Sequence, residues 1–329
     1  MPETFTFLDG ERLIRFGRGA LGDAPVLLEG RGFQTFTLLT TERAAAGARA
    51  LADGAAAVLH VPPGLVDEIS AELLPRAGDR PLVALGGGRV IDTAKAIAGA
   101  RGGQCAAIPT TLSGADLTPF HRTPRGVAGA RLVRPALVVA DPALTASQPA
   151  KELAASAMNA MAHAMEALYM PLSNPIAELA ALRGAELLAA GLDAGDADRD
   201  DVALGALLAG WASAATGIGV HHATCQTIVR TAGTPHAETN AVMLPHFARL
   251  MAPRAPAAIE ALAGAVGAPA PDRLAALSAR CGHNSLSSLG VGEEQLAPVA
   301  QAVPTHPAYR NTPSPPTEDE LLDLLRQAL

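Results

Sequence analysis

The stretch LVALGGGRVIDTAKAIA, residues 82–98, decides the fold. An apolar run enters three consecutive glycines, Gly86, Gly87 and Gly88, and a segment of helical period starts at once after them. Glycines let backbone amides approach a phosphate closely, and the N-terminus of the following helix adds partial positive charge at the same place. The stretch reads as a diphosphate cradle for a dinucleotide, although it lacks the G-x-G-x-x-G spacing. A tight strand-to-helix turn with no ligand has the same signature. Asp92 and Lys95, three apart, share a face of that helix, where they either meet cofactor hydroxyls and amides or form a surface pair.

Outward from this stretch, residues 33–41, 55–61, 104–111 and 135–142 are further short apolar runs ended by turn residues. Residues 42–54, 63–78 and 89–100 between them have helical periodicity. Strand and helix in alternation predict a mostly parallel sheet covered by helices. From about Gln148 the pattern changes to helical runs at 152–170, 174–192, 201–219, 256–267, 272–282 and 318–329, bounded by Pro, Gly, Asn and Asp. The expected fold is an α/β dinucleotide-binding domain over 1–147 followed by an all-α domain over 148–329. The Pro-rich stretch 304–316 reads as a surface loop.

Composition narrows the function classes. Hydrophobic residues make up 49% of the 329, which favours packed cores over disorder. A net charge of −7 argues against nucleic acid as a partner. No apolar run approaches the roughly 18–20 residues of a bilayer span, and the opening MPETFTFLDGER lacks the basic start of a leader. A cytoplasmic protein is expected. Cys105, Cys225 and Cys281 are too few and too far apart for a disulfide framework and read as buried thiols. Of 25 basic residues only Lys95 and Lys151 are lysine, so these two positions call for an ammonium in particular.

Further candidate residues follow the strands. The loop IPTTLSGADLTPF (108–120) offers Thr110, Thr111, Ser113 and Thr118 at a strand's C-terminal end, where ligands of open α/β sheets gather. A polar loop that caps itself is the competing reading. The run 33–41 ends in Thr40 and Thr41, where a carboxylate would favour an unphosphorylated ribose. Without one, NADH and NADPH are both admitted, and Arg43 is placed to meet a 2′-phosphate. In the helical half, Asn159 and His163 are four apart on one face. His221, His222, Gln226, His236 and His246 follow within one segment. Three histidines and a carboxylate would read as a catalytic metal site, but position 159 is a neutral amide, a poor ligand for a divalent ion.

These residues resemble the iron-containing (group III) alcohol dehydrogenase superfamily, whose fold is dehydroquinate synthase-like. The resemblance runs from FGRGAL (16–21) through GGGRVIDTAK, IPTT and DPALT (141–145) to the histidine segments. The superfamily's GGGSxxDxAK loop implies a dinucleotide diphosphate on Gly86, Gly87 and Gly88, with Asp92 and Lys95 beside it and Arg89 where Ser is usual. Its metal set of one Asp and three His falls on Asn159, His163, His222 and His236. MNAMAHAMEALY (158–169) and HHATCQTIVRTAGTPHAETNAVMLPH (221–246) are similar to the maleylacetate reductase branch, which carries MNAxAHxxEALY and HHKLCH…LPHAETHAVVLPH and works without a bound metal. The resemblance implies reduction of maleylacetate to 3-oxoadipate by NADH or NADPH, in a homodimer, without a metal. His222 would donate the proton, His163 and His236 would polarise or position, and Asn159 would orient the substrate. Arg125, Arg131, Gln226 and His221 are the candidates for holding the small carboxylate-bearing carbonyl substrate. Gln226 stands where the branch has the second histidine of HHKLCH, and SGADLTPF replaces its AGSEMTP. Three other readings stay open: a metal-dependent alcohol or aldehyde dehydrogenase, a dehydroquinate synthase-like lyase, and a non-catalytic homologue.

Overall fold

A computed structural model describes residues 4–194 and 198–329, so the first three residues of the leader reading lie outside it. The chain divides into two compact units, Met1–Ser147 and Gln148–Leu329.

In the first unit the strands are β1 (Phe5–Asp9), β2 (Arg12–Phe16), β3 (Thr37–Thr40), β4 (Ala57–His60), β5 (Leu82–Gly86), β6 (Cys105–Pro109) and β7 (Leu137–Ala140). Among the described residues they form one sheet in the order β1-β2-β7-β6-β5-β3-β4. β1 and β2 are an antiparallel hairpin turning at Gly10, whose φ of 61° suits a residue without Cβ. Every other pairing is parallel. The helices are α1 (Ala24–Gly30), α2 (Glu42–Gly47), α3 (Arg49–Asp53), α4 (Val66–Leu73) and α5 (Gly88–Arg101).

Alternate strand residues feed two apolar layers, because successive side chains point to opposite faces. Leu39, Leu82, Ala84 and Ala107 pack with Ile91, Ala94 and Ile97 of α5. Leu38, Val83, Leu85 and Ala106 pack on the other side with Leu28 of α1, Phe33 and Leu51. Burial on both faces is why β3, β5, β6 and β7 read as unbroken apolar runs. The chain steps from β3 outward to β4, then returns to the other side of β3 for β5. The direction of winding reverses there, and a crevice opens at the carboxyl ends of the strands. The single helix expected over 42–54 is instead two, α2 and α3, because Ala48 leaves helical geometry at φ −142° and ψ 50°.

The second unit is helical: α6 (Ala150–Ala167), α7 (Pro175–Asp193), α8 (Arg199–Thr216), α9 (Val220–Ala232), α10 (His236–Met251), α11 (Pro256–Val266), α12 (Ala270–Ser278), α13 (Glu293–Ala302) and α14 (Glu318–Ala328). α6 is its core, buried without interruption from Leu153 to Ala167 and packed against α7, α8 and α10. α7 and α8 cross at Gly184 and Gly205, where a Cβ on either would lie 2.8 Å from the other's carbonyl oxygen. Among the described residues no single helix is long and apolar enough to cross a membrane. The stretch 304–316 is more ordered than a surface loop. It forms two 3-10 turns, Val303–Thr305 and Pro307–Asn311, and buries Thr312 to 3% exposure.

Candidate active site

The crevice of the first unit is a cavity of about 460 Å³ lined by Thr41, Arg43, Gly87, Gly88, Thr110 and Thr111 among others. Each glycine of the cradle is packed where a side chain would collide. A Cβ would sit 2.7 Å from Val90 at Gly86, 3.1 Å from Thr111 at Gly87 and 3.0 Å from Ser113 at Gly88. The loop is thereby drawn flat against its neighbours, with the first turn of α5 opening on the cavity. Helix-opening amides are partnerless within a helix, so this turn offers N–H donors to a phosphate. Those observations fit a dinucleotide. Thr41 has its hydroxyl engaged, accepting from the Ala44 amide at 3.2 Å as the cap of α2.

Several expected ligand-binding residues are placed elsewhere. Lys95 is fully buried, and its Nζ donates to Asp92 Oδ1 (2.8 Å), Ala115 O (2.9 Å) and Phe120 O (2.6 Å). Two of the three ammonium protons hold the loop after β6 onto α5 and the third binds Asp92 on the same helix, so Lys95 and Asp92 form a strut outside the cavity lining. Ser113 packs on Gly88. Thr118 is buried, its amide donating to Gly114 O. Arg125 donates to Glu68 Oε1 (2.6 Å) on α4, and Arg131 donates to Gly103 O (2.7 Å). These exposed guanidinium groups take the nearest acceptors, and neither lines the cavity. Burial pushes the Asp116 carboxyl up to about 6, against the opposing charges of Arg12 and Lys95.

The second unit assembles its site on α6. Asn159, His163 and Glu166 occupy one helical face at i, i+4 and i+7, all buried. His163 Nδ1 lies 3.1 Å from Ser213 Oγ of α8, and its ring stacks on His222 at 4.2 Å. His222 sits in the first turn of α9, with Nδ1 2.6 Å from Glu166 Oε2. The same carboxylate accepts the amides of Gly219 (2.9 Å), His221 (2.9 Å) and His222 (3.4 Å). The Thr312 hydroxyl accepts the amide of Val220 (2.7 Å). The orphan donors that open α9 are thus met by side chains distant in sequence.

Burial pushes the Glu166 carboxyl up from its ordinary range, and the nearby histidines and backbone amides oppose that shift. Surrounded by N–H donors, Glu166 has only accepting to do, which suits a carboxylate. Burial drives His222 down toward neutral imidazole. Its proton lies on Nδ1, facing Glu166, so the lone pair is on the buried Nε2, which has no hydrogen-bond partner in the protein. His221 is fully buried, edge-on to His222 and Phe247, and burial pushes its imidazolium down to about 3. It belongs to the core. His236 opens α10 at the surface, and its charge acts on His222. Gln226, one turn beyond His222, has its Oε1 3.1 Å from His306 Nε2.

Glu166 is the residue that sequence reading missed. Its signal was present: a carboxylate within the Ala- and Met-rich run of the helix, three residues after His163. Ligand atoms of Glu166, His221 and His222 lie within 4.8 Å of one another. Both oxygens of Glu166 are already occupied by N–H donors, however. The set Asn159, His163, His222 and His236 offers three imidazoles and a neutral amide, a poorer ligand set for a divalent cation than one completed by a carboxylate.

The C-terminal model of the Fe-containing alcohol dehydrogenase family matches residues 153–329, and an iron-containing alcohol dehydrogenase model matches residues 15–149. Maleylacetate reductase of Burkholderia cepacia is 36% identical over 98% of this chain and 97% of its own length. Maleylacetate reductase 1 of Rhodococcus opacus is 36% identical over 84% of this chain and 79% of its own. The crystal structure of maleylacetate reductase from Agrobacterium tumefaciens superposes with a TM-score of 0.85 at 32% identity, covering 100% of this chain and 99% of that one.

Proposed function

The chain belongs to the iron-containing alcohol dehydrogenase family, a family of oxidoreductases, and from that premise we propose that it reduces maleylacetate or a close relative with NADH or NADPH and without a bound metal. The observation that carries this reading is the Glu166–His222 pair beside a donor set with no anion. The reaction consumes one reduced dinucleotide and one proton per double bond reduced.

Gly87, Gly88 and the first turn of α5 would take the diphosphate, with Thr110 and Thr111 closing over it. No carboxylate lines the cavity near Thr41, and Arg43 in its lining would meet a 2′-phosphate, which supports use of either dinucleotide. When bound, the reduced nicotinamide supplies a hydride to a substrate carbon conjugated with a carbonyl. Negative charge then develops on the substrate oxygen and requires a proton. His222 rests with a lone pair on Nε2, so it serves as donor only after taking up a proton there. Glu166, 2.6 Å from Nδ1, stabilises the imidazolium so formed, as a carboxylate does for an imidazole in hydrolytic triads. Exposed His236 would exchange protons with water, while His163 and Asn159 would position substrate. Proton transfer of this kind contributes roughly 10²–10⁴-fold to rate. The enzyme is proposed to act as a cytoplasmic homodimer.

The test is oxidation of NADH and of NADPH with freshly generated maleylacetate, with and without a chelator. Turnover insensitive to the chelator is expected. A rate lost to chelation and restored by a divalent ion overturns the metal-free account, and absence of turnover overturns the substrate.

A further inference from the structure

We infer that His306 fixes the orientation of Gln226, so that the pair is the anchor for a carboxylate of the substrate. The inference rests on the reductase reading above. Gln226 follows His222 by four residues on α9 and therefore shares its face. A glutamine amide presents a carbonyl at one end and two N–H donors at the other, and a carboxylate is bound only by the donor end.

The structure determines which end is which. His306 precedes the 3-10 turn Pro307–Asn311 and caps it, the Ala308 amide donating to Nδ1 at 3.1 Å. The lone pair of the neutral ring is thus on Nδ1 and its proton on Nε2. Nε2 lies 3.1 Å from Gln226 Oε1 and donates to it. The amide carbonyl is tied to His306, which leaves the NH2 group as the end available to a ligand. His306 is itself anchored, because its segment packs along α9 and ends in Thr312, which accepts the Val220 amide. The guanidinium candidates for this task, Arg125 and Arg131, are fastened to Glu68 and Gly103. Position 226 thus holds an amide whose direction is imposed by a histidine 80 residues away in the chain.

Two substitutions at His306 separate this role from a structural one. His306→Asn keeps an acceptor for the Ala308 amide, as Asn caps do, and removes the donor to Gln226. His306→Gln keeps a donor near the position of Nε2 and loses the cap. Steady-state kinetics with maleylacetate should give a KM about 3- to 10-fold higher in His306→Asn, with kcat changing far less and the KM for the dinucleotide unmoved. His306→Gln should recover most of that loss. An unmoved KM in His306→Asn overturns the inference, as does equal impairment of both variants. Gln226→Leu deletes the amide and leaves His306 in place, so it carries the test if His306→Asn does not fold. Its KM should rise at least as far, and an unchanged value there also overturns the inference. Failure of the wild type to reduce maleylacetate overturns the reading and the inference together, whereas wild-type turnover with unmoved variants overturns the inference alone.

Discussion

Replacing Glu166 by Gln removes a charge with almost no change of volume, so its effect isolates the electrostatics of the second unit. The two oxygens now accept from three backbone amides and one ring N–H. Gln offers one accepting oxygen, and its NH2 must face donors. At least two bonds are lost, each worth about 1.5–3 kcal/mol to a charged acceptor. Relief from burying a carboxylate, whose carboxyl is pushed up by that burial, offsets part of the loss. A net destabilisation of about 2–4 kcal/mol follows, or roughly 5–15 °C in the melting temperature of this unit. The same substitution leaves the His222 imidazolium without its partner, so kcat should fall by about 10²-fold or more. Circular dichroism melting and nicotinamide absorbance read the two effects. Dinucleotide binding, measured by fluorescence, should persist because its cavity is in the first unit. A variant that melts and turns over like the wild type would refute both the capping role and the proton-handling role.

Other substitutions probe the first unit. Lys95→Met fills the same volume but strands Asp92 and the carbonyls of Ala115 and Phe120, so chemical denaturation should show a loss of about 3–5 kcal/mol. An unchanged midpoint would contradict the strut. Asp116 titrates at about 6 in the folded chain against 3.8 ordinarily, so between those values the native state binds more protons than the unfolded one. Its contribution to stability is full below about pH 4 and lost as the pH rises through about 6. Asp116→Asn should therefore exceed the wild type by up to about 3 kcal/mol at pH 8 and match it at pH 4. Melting temperatures across that range decide it, and a difference independent of pH would count against the shift.

What was legible in the sequence follows from where each signal lives. β3, β5, β6 and β7 announce themselves because both faces are buried, and the glycine cradle because it is local. The β1–β2 hairpin went unread because Phe7 and Leu8 are exposed and blur its alternation. Its Gly10-Glu11 loop, with glycine first, was nevertheless a usable hairpin signal. Asp92 and Lys95 were paired correctly by spacing. The two carbonyls that turn the pair into a strut lie 20 and 25 residues from Lys95 and leave no periodic trace. Gln226 and His306 are 80 residues apart, and only folding joins them.

The capping of α9 bears on the order in which the molecule is made. An ordinary helix begins with a side chain from its own first residues, but here the cap position is Gly219, which has none. The amides of Gly219 and Val220 are met by residues 53 and 92 positions away. The opening turn that carries His222 therefore cannot nucleate by itself and closes through long-range contacts, which form late and slowly. Its amides should exchange with solvent only when the whole unit opens, and rapid exchange at Val220 in the native state would argue otherwise. On a chain still being synthesised, α6 and its carboxylate come first, yet the turn that presents the histidine is complete only once Thr312 has been added.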